Sequence, residues 1–470
     1  MKELLDLSRL GLEGQISAGR SCYAKPKDFY LRRLKKEIAM IEQKGAGERF
    51  HILADITEWA RRQGIVTGPG RGVLPGSLTA YCLGITDVDP ILHGLIFERF
   101  LNHRIRTTPY FSLDFDQREK PKVINYISEK FHSVEDNILL IVNSEMSSRD
   151  LLEDVLEKIG FPESKRKTIF NTFPKGSDYS LRDFLEESQL VRLACIDSEV
   201  KLLLAILSVA VELPTCIHPN ISRVILLPTT GKRAPQPEDL IYFDLIWSDS
   251  IRLLHGVLHR IAENSGKNIN LGSIPLDDNR SYMLLGKGDT RGIPFWQRYE
   301  DKWYISRRLR PKNFSEVTAL FSLMRPGSIE NGMMDSYVNR SIGDEATEYS
   351  VPELQPILCE TLGILLYHEQ TMMIAHELAG FNLNEAEEFR HDLVQRVAEK
   401  VALQKHKFIK GAKENAINQE TSEKIFEFLC QYVGYGFLKA HAVAMTTLSI
   451  RMAWLKVNYP EEFMAEINCC

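Results

Sequence analysis

The sequence predicts an α+β chain of more than one domain, on three observations. Its 470 residues exceed what one hydrophobic core organises, about 250 to 300. Long stretches place apolar residues at helical spacing, as in Tyr30-Leu31-Arg32-Arg33-Leu34-Lys35-Lys36-Glu37-Ile38. The segment TPYFSLDFD (residues 108–116) alternates instead, so it reads as a strand with Tyr110, Ser112, Asp114 and Asp116 on one face.

The elements follow in order. Met1-Lys2-Glu3 leads straight into an amphipathic pattern, so no signal peptide is expected. Residues 1–67 read mostly as helix, with HILADITEWARRQ (51–63) repeating the helical period before a glycine-rich turn. In that turn Gly70 and Gly72 flank Arg71, giving backbone amides room to approach an anion beside a fixed positive charge. The apolar segment 136–142 fits helix and strand equally. Ser147 and Asp150 offer an S-x-x-D cap to an amphipathic helix over Leu151 to Ile159. Lys165-Arg166-Lys167 is either a solvated helix face or a grip on a phosphate backbone. The longest apolar run, Leu202 to Val211, is about half of what a bilayer requires. Thr229 to Asp239 is a polar, proline-bearing loop, and from Ser250 onward the chain is largely helical. There Asn384 and Glu387 read as a capping box, and Arg396 to Lys413 as a basic helix interrupted by Glu399. That helix presents either a phosphate-contacting face or a solvated one.

Composition sets broad limits. Apolar residues at 44% and charged ones at 26% are ordinary for a soluble globular chain. A net charge of −5 argues against wholesale nonspecific coating of nucleic acid, while permitting local basic grooves. The eight cysteines form no C-x-x-C pair and no metal-ligand spacing, which suits a reduced cytosolic protein with buried thiols.

The stretch Gly68 to Asp116 carries GPGRG, GSL, AY, LGITDVDP and FERFLN. In these motifs it closely resembles the catalytic core of the α subunit of bacterial DNA polymerase III, the C-family replicative polymerase. Further segments fit the same pattern in collinear order. They are the helix Lys122 to Phe131, LIYFDL (240–245), LGSIPLDD (271–278), ALFSLMRPG (319–327), GILLYHEQ (363–370) and GYGFLKAH (434–441). The resemblance implies a Pol β-like nucleotidyltransferase palm with a largely helical thumb and fingers. The palm would take residues 1–141 and 212–249, the thumb 142–211 and the fingers 250–470.

The departures fall on the chemistry. The family's two metal-binding aspartates on the first strand correspond to Tyr110 and Ser112, and only Asp114 keeps a carboxylate there. Val73 replaces the serine after Gly-Arg-Gly, and Tyr242 replaces a lysine two residues before Asp244, the counterpart of the third catalytic carboxylate. His218 is followed by Pro219, Asn220 and Ile221 where the family has small residues. Val394, Gln395 and Arg396 stand at a Gly-Lys-Lys that contacts nucleotide phosphates, and Leu438 and Ala440 replace an asparagine and a serine.

Nucleotide addition by two metal ions needs carboxylates holding both cations about 3.5–4 Å apart. A phenol and a hydroxyl do not supply them. The sequence therefore predicts a pseudo-polymerase of DNA replication or repair, with Asp244 and Asp114 as relics of catalysis. It would bind primer–template DNA or replication and repair proteins, at no membrane, in a bacterial cytoplasm at the nucleoid. Candidate DNA or nucleotide contacts are Arg71, Gly72, Gly76, Ser77, Arg325, Arg390, Lys439 and His441. Two alternatives stand beside this reading. One is an active DNA polymerase holding Mg²⁺ on Asp114, Asp116 and Asp244, and the other a protein-binding subunit without DNA affinity.

Overall fold

The computed structural model describes residues 2–17, 24–104, 111–132, 137–143, 148–163, 166, 198–211, 220–228, 240–294, 296 and 302–469. Helices dominate, and a small mixed sheet makes the chain α+β. Two compact units share it: residues 1–57, 68–110 and 253–470 form the first, and 58–67 with 111–252 the second.

The second unit is built on four strands, β1 (Ser112–Phe115), β2 (Asn137–Asn143), β3 (Ile221–Pro228) and β4 (Ile241–Trp247), in the order β1-β4-β3-β2. β1 and β4 run parallel, and the other two pairings are antiparallel. The ambiguous apolar segment 136–142 contributes β2. The antiparallel register sets its Leu140 beside Ile225. Both join a core closed by the Ser148–Lys158 and Ser198–Val211 helices. Lys120–His132 forms the expected helix after β1, and Tyr126 on it stacks on Trp59 with ring centroids 4.1 Å apart.

The first unit is helical. Lys2–Ser17, Lys27–Gln43 and most of Gly47–Arg62 bear out the helical reading of the opening residues. Leu12, Tyr30 and Leu34 pack on Leu78, Tyr81 and Cys82 of the short Leu78–Cys82 helix. That helix begins inside the protein, so its first N–H groups need internal acceptors. Glu37, fully buried, supplies them. Its carboxylate accepts from Leu78 N at 3.1 Å, Thr79 N at 3.0 Å and Ser77 Oγ at 3.0 Å, and Arg33 Nε neutralises it at 2.6 Å. Further along the chain, Phe389, Phe408 and Phe426 pack in a second core. The last long helix, Lys439–Asn458, is apolar on nearly every side and buried accordingly.

Several expectations are corrected. The capping box before the Leu383–Gln395 helix is Asn382 with Glu385, because Asn382 holds the extended N-cap backbone and Asn384 is already inside the first turn. Asn384 accepts instead from His103 N, and Glu387 binds Arg390. Arg396 is not part of the basic helix. At φ +54° it closes the preceding helix in the left-handed region, and the basic helix is Ala398–Glu414. Asp116 lies just beyond β1, and there it caps the turn Gln117–Glu119. Among the described cysteines only Cys82 is buried, while Cys359 and Cys469 are exposed. Ser147, Lys165, Lys167 and the loop 229–239 lie outside the described residues.

Replacing Glu37 by alanine strands several buried donors and the Arg33 charge. It should destabilise the protein by about 3 kcal/mol or more, read from equilibrium denaturation. Loss of less than about 1 kcal/mol would show that water satisfies the helix start instead.

Candidate functional site

Strand β4 alternates Phe243, Leu245 and Trp247 on one face with Tyr242, Asp244 and Ile246 on the other. The register sets Ser112, Asp244 and Arg223 in one row across β1, β4 and β3. Directly opposed residues project to the same face, so hydroxyl, carboxylate and guanidinium meet there. Asp244 is wholly buried and Arg223 is 2% exposed. Arg223 Nε donates to one oxygen of Asp244 at 2.7 Å and Nη2 to the other at 3.0 Å. The same guanidinium lies 5.5 Å from the centroid of Tyr242. Ser112 Oγ, also buried, has no hydrogen-bond partner among the described residues.

A pair of magnesium ions does not fit this row. Divalent cations of this kind are held by carboxylate oxygens. Both oxygens of Asp244 are occupied by a fixed positive charge, and its neighbour offers a neutral hydroxyl. Asp114 is buried on β1, two residues beyond Ser112 and paired with Ile246. Asp116 spends its carboxylate on Arg118, accepting from the backbone N at 2.8 Å and from the guanidinium at 2.8 to 3.2 Å. Among the described residues no three His, Cys, Asp or Glu side chains are grouped to hold a metal. Tyr110 and His218 lie outside the described residues.

The nucleotide-contact candidates belong to the first unit. Gly70 sits at φ +115° and Gly72 at φ +61°, backbone that only glycine adopts readily. At Gly70 a Cβ would also lie 2.9 Å from Thr86 Cγ2. The Gly72 amide donates to His441 Nδ1 at 3.2 Å, which requires a neutral imidazole accepting at that nitrogen. Burial and the nearby Arg71 push the His441 pKa down to about 4. His441 packs on Phe321 and Phe437, and Arg325 lies 4.5 Å from the Phe437 ring centroid. Arg325 also donates to the carbonyls of Ser322 and Tyr435, both at 2.7 Å. Lys439 opens the final long helix, its ammonium 2.8 Å from Glu360. Gly72, Arg325, Lys439 and His441 are thus assembled around the GYGF turn. Gly76 and Ser77 belong to the internal helix start, where Gly76 O accepts from Arg33 and Ser77 Oγ donates to Glu37.

A third cluster lies under the same turn. Arg390 forks onto Glu387 at 2.6 and 2.7 Å, and Arg99 of FERFLN reaches Glu387 at 3.5 Å and His368 Nδ1 at 3.4 Å. Burial, with Arg390, Arg99 and Arg325 around it, pushes the His368 pKa down to about 2. Buried Glu369 accepts from Lys439 N and Ala440 N, and desolvation raises its pKa despite those bonds.

Sequence reasoning missed Arg223, Arg118, Glu37 and Arg99. The readable signal for Arg223 was one charge inside ISRVILL, where a strand buried on both faces carries none without a partner.

Comparison with known proteins agrees with the resemblance. Residues 3–219 match the family model for the bacterial DNA polymerase III alpha NTPase domain, and residues 250–416 that for the bacterial DNA polymerase III alpha subunit finger domain. The DNA polymerase III subunit alpha of Aquifex aeolicus is 32% identical over 98% of this chain and 43% of its own length. For the Escherichia coli K12 subunit the figures are 31%, 94% and 41%, and for that of Caulobacter vibrioides 32%, 99% and 42%. This chain spans about two fifths of the length of the curated relatives it matches.

Two outcomes follow from the geometry. Arg223→Ala or Asp244→Ala alone should cost about 3–5 kcal/mol by leaving a buried charge unpaired. The double change Arg223→Met with Asp244→Leu should cost much less than the two single losses added, and additive losses in equilibrium denaturation would refute the pairing. Acid should also destabilise the first unit. Burial pushes the pKa of His441, and of His93 packed on Phe314, down to about 4 and that of His368 to about 2, below the ordinary 6.5, so each binds its proton more weakly when folded. Their stabilisation is whole above about pH 6.5 and is lost as pH falls toward those folded values. Denaturation midpoints measured from pH 7 to 4 should fall, with a shallower slope in His441→Asn.

Proposed function

The chain belongs to the family of bacterial DNA polymerase III alpha subunits, and from that membership we propose a polymerase-fold protein of DNA replication or repair that binds primer–template DNA without extending it. The single observation that carries the loss of synthesis is the Arg223–Asp244 pair. A guanidinium holds the carboxylate where divalent-cation chemistry would need it open. Losing a member of a catalytic unit commonly costs on the order of 10⁴ to 10⁶ in rate, so background extension is all that remains.

In this reading the four-stranded sheet is the counterpart of a Pol β-like palm. The strand order supports it, since β1 and most of β2 come from residues 1–141 while β3 and β4 come from 212–249. The thumb is then 142–211 and the fingers 250–470. Arg71, Gly72, Arg325, Arg390, Lys439 and His441 are the proposed contacts to DNA or nucleotide, with Gly76 and Ser77 shaping the turn before them. The excess of guanidinium groups around His368 suits a polyanion. The proposed setting is the bacterial cytoplasm at the nucleoid, and among the described residues no helix is long and apolar enough to cross a membrane. An active enzyme would need Mg²⁺, and the bonds of Asp116 and Asp244 disfavour that reading. A protein-binding platform without DNA affinity is favoured by the internal pairing of Lys439 with Glu360 and Arg390 with Glu387.

Primer extension on a primed duplex, with Mg²⁺ and separately Mn²⁺, should yield no product above background. Fluorescence anisotropy on the same duplex should show binding whose log K falls linearly with log salt. Elongation that disappears in Asp114→Asn or Asp116→Asn would establish the active-enzyme reading, and absence of salt-dependent binding the platform reading.

A further inference from the structure

A cavity of about 1030 Å³ opens in the first unit, and neither the glycine turn nor any residue of the Arg223–Asp244 row lines it. The Asn279–Gly286 helix and the Lys302–Leu309 helix, with the residues just after each, form its walls. Buried Tyr282 and Pro311 give it an apolar floor with exposed Met283 beside them, and the exposed Lys287, Arg307, Arg310 and Lys312 form its rim. Four cations gathered on one rim are conspicuous in a chain of net charge −5. Among the described residues no carboxylate pairs with the side chains of Lys287, Arg310 or Lys312, and two of the nearby acids are engaged elsewhere. Glu316 accepts from Lys312 N and the Asn313 side chain, and Asp289 binds Lys456.

Arg310 is held in a conformation that its side chain resists. It follows the Lys302–Leu309 helix at φ +49°, donating its N–H to Ser306 O at 2.7 Å, a closing position that glycine fills at no steric cost. Gly286 yields it space, since a Cβ there would come within 3.3 Å of Arg310 Cα. Leu362, Arg396 and Ala416 take the same left-handed backbone, so the turn does not explain the choice of arginine, but it fixes the Arg310 charge at the cavity.

We infer that this cavity binds an acidic peptide segment of a partner protein, anchored by a bulky apolar side chain. The cationic rim matches the acids, and the floor matches the anchor. Met283 is 60% exposed and offers apolar surface that a partner would cover. A phosphate backbone accounts for the rim but not for the floor. A nucleobase would require an open ring face, and Tyr282 is only 4% exposed with its hydroxyl bonded to Leu276 O. At about 1030 Å³ the cavity stands at the upper end of about 300–1,000 Å³ for small-molecule sites, large enough for more than one side chain.

The test is fluorescence anisotropy on the full chain with three labelled probes at one fixed low salt. They are the peptide Asp-Asp-Asp-Asp-Leu-Phe, its Asp-Asp-Asp-Asp-Ser-Ser counterpart, and a short oligothymidylate. The Leu-Phe peptide should bind about tenfold tighter than the Ser-Ser peptide, and Met283→Asp should erase that preference. Arg310→Gly should weaken the Leu-Phe peptide about fivefold or more while its thermal midpoint stays level or rises, because glycine relieves the left-handed backbone. Equal binding of the two peptides, or Arg310→Gly binding like the unaltered chain, overturns the inference. So does oligothymidylate outcompeting the Leu-Phe peptide at this rim, which would make it a nucleic-acid site.

Discussion

A carboxylate sunk in a β-sheet stays charged only with strong donors in reach, and Arg223 brings Asp244 both the donors and the opposite charge. Desolvating each ion costs several kcal/mol, so the pair persists only with both oxygens satisfied and good geometry. The sheet enforces that geometry by register. Arg223 and Asp244 are 21 residues apart in sequence but directly opposed across β3 and β4. Divalent ions meet the same electrostatic demand in a two-metal site, yet they leave room for substrate oxygens. A guanidinium does not, because its fork saturates the carboxylate and its plane fills the space. Charge balance at Asp244 is kept by a side chain of the fold itself.

The same solution recurs in the first unit. Glu37 answers the start of one internal helix and Glu369 another, Glu387 holds Arg390, and His441 accepts from Gly72. Much of the polar machinery that the motifs advertise is therefore spent within the fold. Such bonds fix the turns on which they sit. Residues of this kind persist for backbone reasons whether or not a ligand follows.

Legibility in the sequence tracked locality. The helical openings, the glycine turn and β1 were readable because each depends on neighbours within a few residues. The capping box was misplaced by two positions because Asn382 and Asn384 are chemically alike, and only the backbone angle at Asn382 distinguishes them. β2 was ambiguous because an apolar run buried on both faces has no period to declare. That Tyr110 and Ser112 stand where the resemblance implies carboxylates was readable from the residues alone. The guanidinium opposite Asp244 was not, since strand register belongs to the sheet as a whole. Arg99 went unnoticed inside FERFLN for a related reason, as its partners Glu387 and His368 come from distant helices.

The Lys439–Asn458 helix has a consequence for how the protein is made. Val88 and Leu95 near the beginning are covered by Val443, Ala444 and Met445 near the end. At roughly 5–20 residues per second, a ribosome needs on the order of 20 to 70 seconds between emitting the two sets. For that interval the nascent chain carries an uncovered apolar face with no permanent occupant. Uncovered apolar surface of that lifetime is prone to aggregate, and the Lys439–Asn458 helix removes it from water.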